Sequence, residues 1–550
     1  MTPEEVAYAS ADTAASAAPT PVRRLSPARV GALVAGLAVV AAALVAFRTA
    51  GPTTRPAALH SSFLPYVDAT VTPLYAFENM PAGASTDLVL GFVVGAKDNG
   101  CAPTWGAAYT PAQAADSLDL DRRIARLRQR GGDAVVSFGG QANDELATRC
   151  ADPTALLAGY RSIVERYSLD TIDLDIEGGA ASAAAVDQRR ARAIAALQRA
   201  RRKAGHPLQV WLTLPVDPSG LTGAGWQIVG DMLAAKVTLA GVNGLTMDYG
   251  ASRPKSMSML AATESALDAL NEQVRSAYQA AGRSLTTAQA WQHIGATPMI
   301  GQNDGPADRF SLADTRALLA FARSRHMGRL SMWSANRDQS CGPNYADVTV
   351  ASNLCSGVDQ SPNEFAKILH AFGTSAVAAD APAGSSGSAD SSGVAGSAGS
   401  AANSTAPDLG SSTANSIVDD PATSPYPIWN PVVPYQGGTK IVWHRSVYEA
   451  KWWTRGDTPD APVASAADSP WTLIGPVLPG EHPAPTPTLS AGVYPAWSAA
   501  VTYRAGARVL YRGVGYQAKW YTRGDVPGEQ VSDPGQTPWE FITGPAATSS

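Results

Sequence analysis

Eight short apolar runs recur between Leu64 and Trp333, and longer amphipathic stretches separate them. The runs are Leu64–Thr70, Leu88–Gly95, Ala134–Phe138, Thr171–Ile176, Gln209–Leu214, Gly241–Met247, Ile294–Ile300 and Leu330–Trp333. Leu120–Arg128, Ala184–Arg201, Met257–Ala280 and Ala313–Arg325 carry helical periodicity between them. Strand–helix alternation over ~250 or more residues suits an α/β fold of the (β/α)8 TIM-barrel type, with its functional groups at the C-terminal ends of the strands. A doubly wound open sheet is the alternative, but no glycine-rich phosphate loop follows the first strand.

The fourth run carries the chemistry. From Asp170 the chain reads D-T-I-D-L-D-I-E, then Gly178 and Gly179. In an extended strand Ile172, Leu174 and Ile176 share one face, and Asp173, Asp175 and Glu177 share the other. Three like charges on one face repel, and desolvation adds to the cost, so at least one carboxyl is favoured in its neutral form near neutral pH. A neutral carboxylic acid beside ionised ones is what a general acid requires. The plainer alternative is an edge strand with a solvated acidic face. The glycine pair that follows instead fits a strand ending at the mouth of a site.

This string resembles the D-x-x-D-x-D-x-E signature of glycoside hydrolase family 18, the chitinases and their relatives, with Thr171 where the family usually has glycine. Other strand ends resemble bacterial members of the family. These are S-F-G-G at Ser137–Gly140, T-L-P at Thr213–Pro215, M-D-Y-G at Met247–Gly250, T-P-M-I-G-Q-N-D at Thr297–Asp304 and M-W-S at Met332–Ser334. Other branches read M-x-Y-D at the sixth strand, whereas here Asp248 precedes Tyr249. The resemblance implies a retaining hydrolase in which the substrate's own acetamido group assists. Glu177 is then the proton donor, Asp175 orients the acetamido N–H, Asp173 tunes Asp175 by sharing a proton, and Tyr249 holds the acetamido oxygen. Trp333 is expected to floor a sugar, with Met247, Asp248 and Ser137 as further substrate contacts. No metal or cofactor is implied.

Thirteen Trp and seventeen Tyr are a generous aromatic supply, and part of it lies in an internal repeat. Tyr435, Tyr448, Lys451, Trp452, Gly456, Asp457 and Trp471 recur at a constant offset of 68 residues as Tyr503, Tyr516, Lys519, Trp520, Gly524, Asp525 and Trp539. The strings Y-E-A-K-W-W-T-R-G-D and Y-Q-A-K-W-Y-T-R-G-D resemble chitin-binding type 3 modules of carbohydrate-binding module family 5/12. Each unit is small and all-β, without cysteines to staple it. Adjacent aromatics on a strand point opposite ways, so Trp452-Trp453 and Trp520-Tyr521 cannot all fill a core, and the surplus suits stacking on sugar rings. Which ring of each pair faces solvent does not follow from spacing.

The expected organisation is a polar tail at 1–29, an apolar segment at Val30–Phe47, a barrel at 60–372, an Ala/Gly/Ser-rich linker at 374–424, and modules at 427–476 and 494–545 joined by a proline-rich stretch, 477–493. Arg23, Arg24 and Arg29 precede the apolar segment, which reads either as a long signal peptide or as an uncleaved anchor, and both place the rest outside the cell. Four cysteines then suit two disulfides, Cys101 with Cys150 and Cys341 with Cys355 by proximity, although spacing does not fix the pairing. A net charge of −5 argues against a nucleic-acid partner. The expected partners are chitin and N-acetylglucosamine oligomers, with membrane contact only through the N-terminal segment, and a monomer is expected. The leading reading is an endochitinase. An endo-β-N-acetylglucosaminidase for other glycans and a non-catalytic chitin-binding protein are the alternatives.

Overall fold

The computed structural model describes residues 61–81, 83, 85, 87–178, 183–373, 418–483, 488–529 and 537–542. The apolar segment Val30–Phe47, Gly179 and most of the Ala/Gly/Ser-rich stretch lie outside these residues. Among the described residues no helix is long and apolar enough to cross a membrane.

Eight parallel strands close into a ring. They are β1 (Ser62–Phe63 and Tyr66–Asp68), β2 (Leu88–Gly95), β3 (Ala134–Gly139), β4 (Thr171–Asp175), β5 (Gln209–Asp217), β6 (Gly241–Leu245), β7 (Ile294–Thr297) and β8 (Arg329–Leu330). Closure depends on β1, whose first segment pairs with β8 (Phe63 with Leu330) and whose second pairs with β2 (Tyr66 with Val89). Pro65 interrupts the strand because it has no N–H to give to a ladder. Its carbonyl still accepts from Val89 at 2.9 Å, while Tyr66 donates to Met332 at 3.0 Å, so the ring is hydrogen-bonded across the break. A closed ring excludes the open doubly wound sheet.

The connecting helices are α1 (Pro111–Leu118), α2 (Leu120–Gln129), α3 (Leu146–Arg149), α4 (Pro153–Arg166), α5 (Ala184–Lys203), α6 (Gly223–Ala234), α7 (Met259–Ala280), α8 (Thr287–Trp291), α9 (Leu312–Arg325) and α10 (Glu364–His370). Their starts are written in the sequence. Thr110, Thr222, Ser258, Thr286 and Ser311 each accept an N-terminal backbone N–H, which is where a hydroxyl satisfies a donor the helix cannot. The first β/α unit differs: among its described residues it carries only a 3-10 turn, Phe77–Asn79. Disulfides join Cys101 to Cys150 and Cys341 to Cys355.

The two C-terminal units are three-stranded antiparallel sheets. Copy 1 contains β9 (Lys440–Trp443), β10 (Ser446–Ala450) and β11 (Trp471–Pro476), and copy 2 contains β12 (Arg508–Tyr511), β13 (Val514–Ala518) and β14 (Trp539–Ile542). Tyr435 meets Trp471 edge-on at 5.3 Å and Tyr503 meets Trp539 at 5.2 Å, so the repeated residues build the same small core twice. The G-D of each string is a turn lock: Thr454 bonds Asp457 and Thr522 bonds Asp525, and the backbone carbonyl of each Asp accepts from the core Trp at 2.9 and 2.8 Å.

Candidate active site

Strand β4 is part of the ring's wall, between β3 and β5. Ile172, Leu174 and Ile176 are buried among the apolar core, while Asp173 and Asp175 point to the other side, inside the barrel. The turn after β3 gives them room. A Cβ at Gly139, which has a φ of +113°, would lie 1.9 Å from the Asp175 carbonyl oxygen, and the Gly140 N–H donates to that oxygen at 3.0 Å. Only a glycine permits this approach of the two backbones.

Asp173 and Asp175 have opposite surroundings. Asp173 is fully buried and accepts from four donors: Tyr66 Oη and Ser137 Oγ at 2.8 Å each, Thr213 Oγ1 at 2.7 Å and Arg329 Nη1 at 2.9 Å. Both its oxygens are filled by donors, so it is an anchored acceptor. Ser137 is likewise a support beneath the floor and does not line the cleft. Arg329, from the start of β8, is itself fully buried between the rings of Tyr66 and Trp211, each 5.4 Å from its guanidinium carbon.

Asp175 is hydrogen-bonded to Glu177 instead, and its Oδ1, although buried, has no partner. Burial pushes the Asp175 carboxyl well above the usual carboxylate range, and the charges of Glu177 and Asp173 push it further while Arg329 opposes them. Glu177 is raised to about 7, chiefly by desolvation, with the charge of Asp248 adding to the shift and the bond to Asp175 opposing it. The pair therefore holds a proton near neutral pH and titrates as a unit.

A cleft of about 650 Å³ opens above this pair. Met247, Asp248, Tyr249 and Trp333 all line it, as the sequence led us to expect. Trp333 is half-buried, stacked on Phe92 at 5.5 Å and tilted against Tyr66 at 6.2 Å. Tyr249 is buried, and its hydroxyl is bonded to Thr263 of α7 at 3.2 Å. Asp248 stands exposed at the rim, where it accepts from the Asp304 N–H at 2.8 Å. The charge of Asp248, three residues past the end of β6, thus acts on Glu177.

Sequence reasoning did not single out Tyr66, Phe92, Arg329 or Asn353. Asn353 reaches the cleft from the loop closed by Cys341–Cys355, a placement that only the fold reveals. In the modules all four paired rings are exposed. The strands end at Ala450 and Ala518, before the pairs begin, so alternation no longer applies. Trp452 and Trp453 are 47% and 56% exposed, and Trp520 and Tyr521 are 43% and 67% exposed. Among the described residues no cluster of His, Cys, Asp and Glu could hold a metal ion.

These features have counterparts in known proteins. Residues 496–540 match the model of carbohydrate-binding module family 5/12. The chain is 33% identical over 293 residues to a "probable bifunctional chitinase/lysozyme" of Escherichia coli strain K12, which covers 51% of this chain and 31% of that protein. It is 32% identical over 287 residues to "Endochitinase 11" of Metarhizium anisopliae, covering 50% of this chain and 52% of that protein. Over about half of its length the chain is similar to proteins named as chitinases. It spans about half or less of the length of these relatives. Among solved structures it is similar to the catalytic domain of the hyperthermophilic chitinase from Pyrococcus furiosus, at 26% identity and a TM-score of 0.49, covering 58% of this chain and 97% of that one.

Proposed function

We propose that the chain is an endochitinase that hydrolyses β-1,4 bonds between N-acetylglucosamine residues with retention at the anomeric carbon. The observation that carries this reading is the proton-sharing pair Asp175–Glu177 beneath an aromatic-floored cleft, with one buried Asp175 oxygen unpartnered. Glu177 delivers the shared proton to the scissile oxygen, which leaves with the departing sugar. The acetamido carbonyl oxygen of the retained sugar attacks its own anomeric carbon as that bond breaks. Asp175 Oδ1 supplies the acceptor that the acetamido N–H needs, and the carboxylate offsets the positive charge growing on the resulting ring. Glu177, now ionised, takes a proton from the water that opens the ring on the same face. Asp173 touches no substrate in this scheme. It and Arg329 hold the pair from below.

Endo action follows from the walls. Between β7 and β8 the chain forms only a two-stranded ribbon (Gly301–Gln302 with Arg309–Phe310) and α9, so no added subdomain closes the cleft over a chain end. The exposed rings of the modules suit stacking on chitin. We place the enzyme outside the cell, secreted or held by Val30–Phe47, a site consistent with two disulfides.

The test is hydrolysis of a soluble chitin derivative followed by viscosity and by reducing ends. Viscosity falling well before reducing ends accumulate is expected. The two changing in step, with disaccharide as the sole early product, would remove the endo reading, and no hydrolysis at all would remove the activity.

A further inference from the structure

The two copies of the repeat share a core and turn locks but not surroundings. In copy 1, β11 lies along α2 of the barrel. A Cβ at Gly475 would come within 2.7 Å of the Arg122 carbonyl oxygen, so glycine is needed for this approach. Arg122, only 5% exposed, donates to the Pro476 carbonyl at 2.6 Å and grips Glu481 through both terminal nitrogens, at 3.0 and 2.5 Å. Lys440 pairs with Asp119 at 2.5 Å, and the Tyr426 ring lies near both Arg122 and Lys440, at 5.9 and 5.7 Å. Asn79, in the 3-10 turn, donates to the Leu473 carbonyl at 3.4 Å. Copy 1 therefore covers the flank of α2 beside the unit that contributes no full helix.

Copy 2 carries other residues at the equivalent sequence positions. At the offset of 68, Gly475 becomes Thr543 and Leu473 becomes Phe541. A threonine could not approach α2 in this way without displacing helix backbone. Phe541 is 42% exposed, and Tyr516 is half-buried where Tyr448 is buried. The face covered in copy 1 is open in copy 2.

We infer that copy 1 is a fixed wall of the catalytic domain, standing in for the missing first helix, and that copy 2 alone acts as a tethered unit. Trp452 and Trp453 stay exposed in the docked copy, so their platform is presented at a set orientation to the cleft. The use of that platform on sugar rests on the function proposed above, but the docking does not.

Hydrogen exchange on the full chain tests this without any sugar. Amides of β9–β11 should exchange more slowly than their equivalents in copy 2. Glu481→Arg or Arg122→Glu alone should speed copy 1 exchange by roughly tenfold or more, as expected on breaking a largely buried ion pair. The double swap should restore it, and Glu540→Arg in copy 2 should not disturb copy 1. If Arg122→Glu fails to fold, Glu481→Arg on the module side still decides the matter. Equal exchange in the two copies, or no response to Glu481→Arg, would overturn the inference. Slow exchange in copy 1 combined with failure to bind chitin would spare the docking and remove the sugar-binding reading.

Discussion

The barrel and the modules break the burial rule in opposite directions. The barrel hides charge, with Asp173, Asp175 and Arg329 all inside, while the modules expose large rings such as Trp453 and Tyr521. Each departure costs free energy, and neither serves a fold alone. The barrel recovers part of its cost by pairing: Asp173 has four donors. It leaves Asp175 Oδ1 without one. The modules recover little of theirs: Lys451 and Lys519 lie over the Trp452 and Trp520 rings at 5.5 and 4.8 Å, while large ring faces stay open to water. The difference teaches where to look for ligands: an unfilled buried acceptor marks a reaction centre, and large exposed rings mark a platform.

The sharpest way to break the buried half is Arg329→Gln. It strands the Asp173 carboxylate, and the loss should be about 3–5 kcal/mol of stability, measured by denaturant unfolding. A loss under about 1 kcal/mol would mean that the ion pair is not what holds the floor. Next is Asp175→Asn, which keeps shape but cannot balance a positive ring. Turnover should fall by roughly 10²–10³ with the fold intact, and unchanged turnover would exclude substrate assistance as drawn.

On the exposed half, Trp520→Ala with Tyr521→Ala should weaken retention on insoluble chitin by roughly tenfold while leaving turnover of short soluble oligomers unchanged. An equal loss on both substrates would assign the rings to stability. The smallest effect is electrostatic. Glu177 must be protonated to act, so activity should decline as pH rises through about 7, where its raised pKa lies. The native state holds a proton there that an unfolded glutamate has already released, so stability also declines as pH rises toward 7. Asp248→Asn removes a nearby negative charge, lowers that pKa, and should move the alkaline limb of the pH–rate profile to lower pH by less than about one unit. No movement would detach Asp248 from Glu177.

Much of this was legible beforehand, and the failures have physical reasons. Helix α2 spans Leu120–Gln129 against an expected Leu120–Arg128, and α7 spans Met259–Ala280 against Met257–Ala280, because apolar periodicity marks both locally and the Ser258 hydroxyl caps the second. The alternation of β4 correctly set its three carboxyls apart from its core residues. What could not be read was which distant residue sits beneath them. Arg329 looks like a polar flank at a strand start, and its burial depends on β8 closing the ring beside β1. Ser137 lies on a visible motif, yet its direction depends on its register with Asp173. Which module ring faces solvent is not legible from alternation, because the strand stops at Ala450, before the pair.

The central claim is that the proton shared by Asp175 and Glu177 drives hydrolysis assisted by the substrate. Proton NMR of the first product from an N-acetylglucosamine oligomer tests it most directly, run beside Glu177→Gln. The account predicts a β-anomer that only later mutarotates, and no product from the folded, chitin-binding variant. A first-formed α-anomer, or comparable turnover by Glu177→Gln, would contradict it.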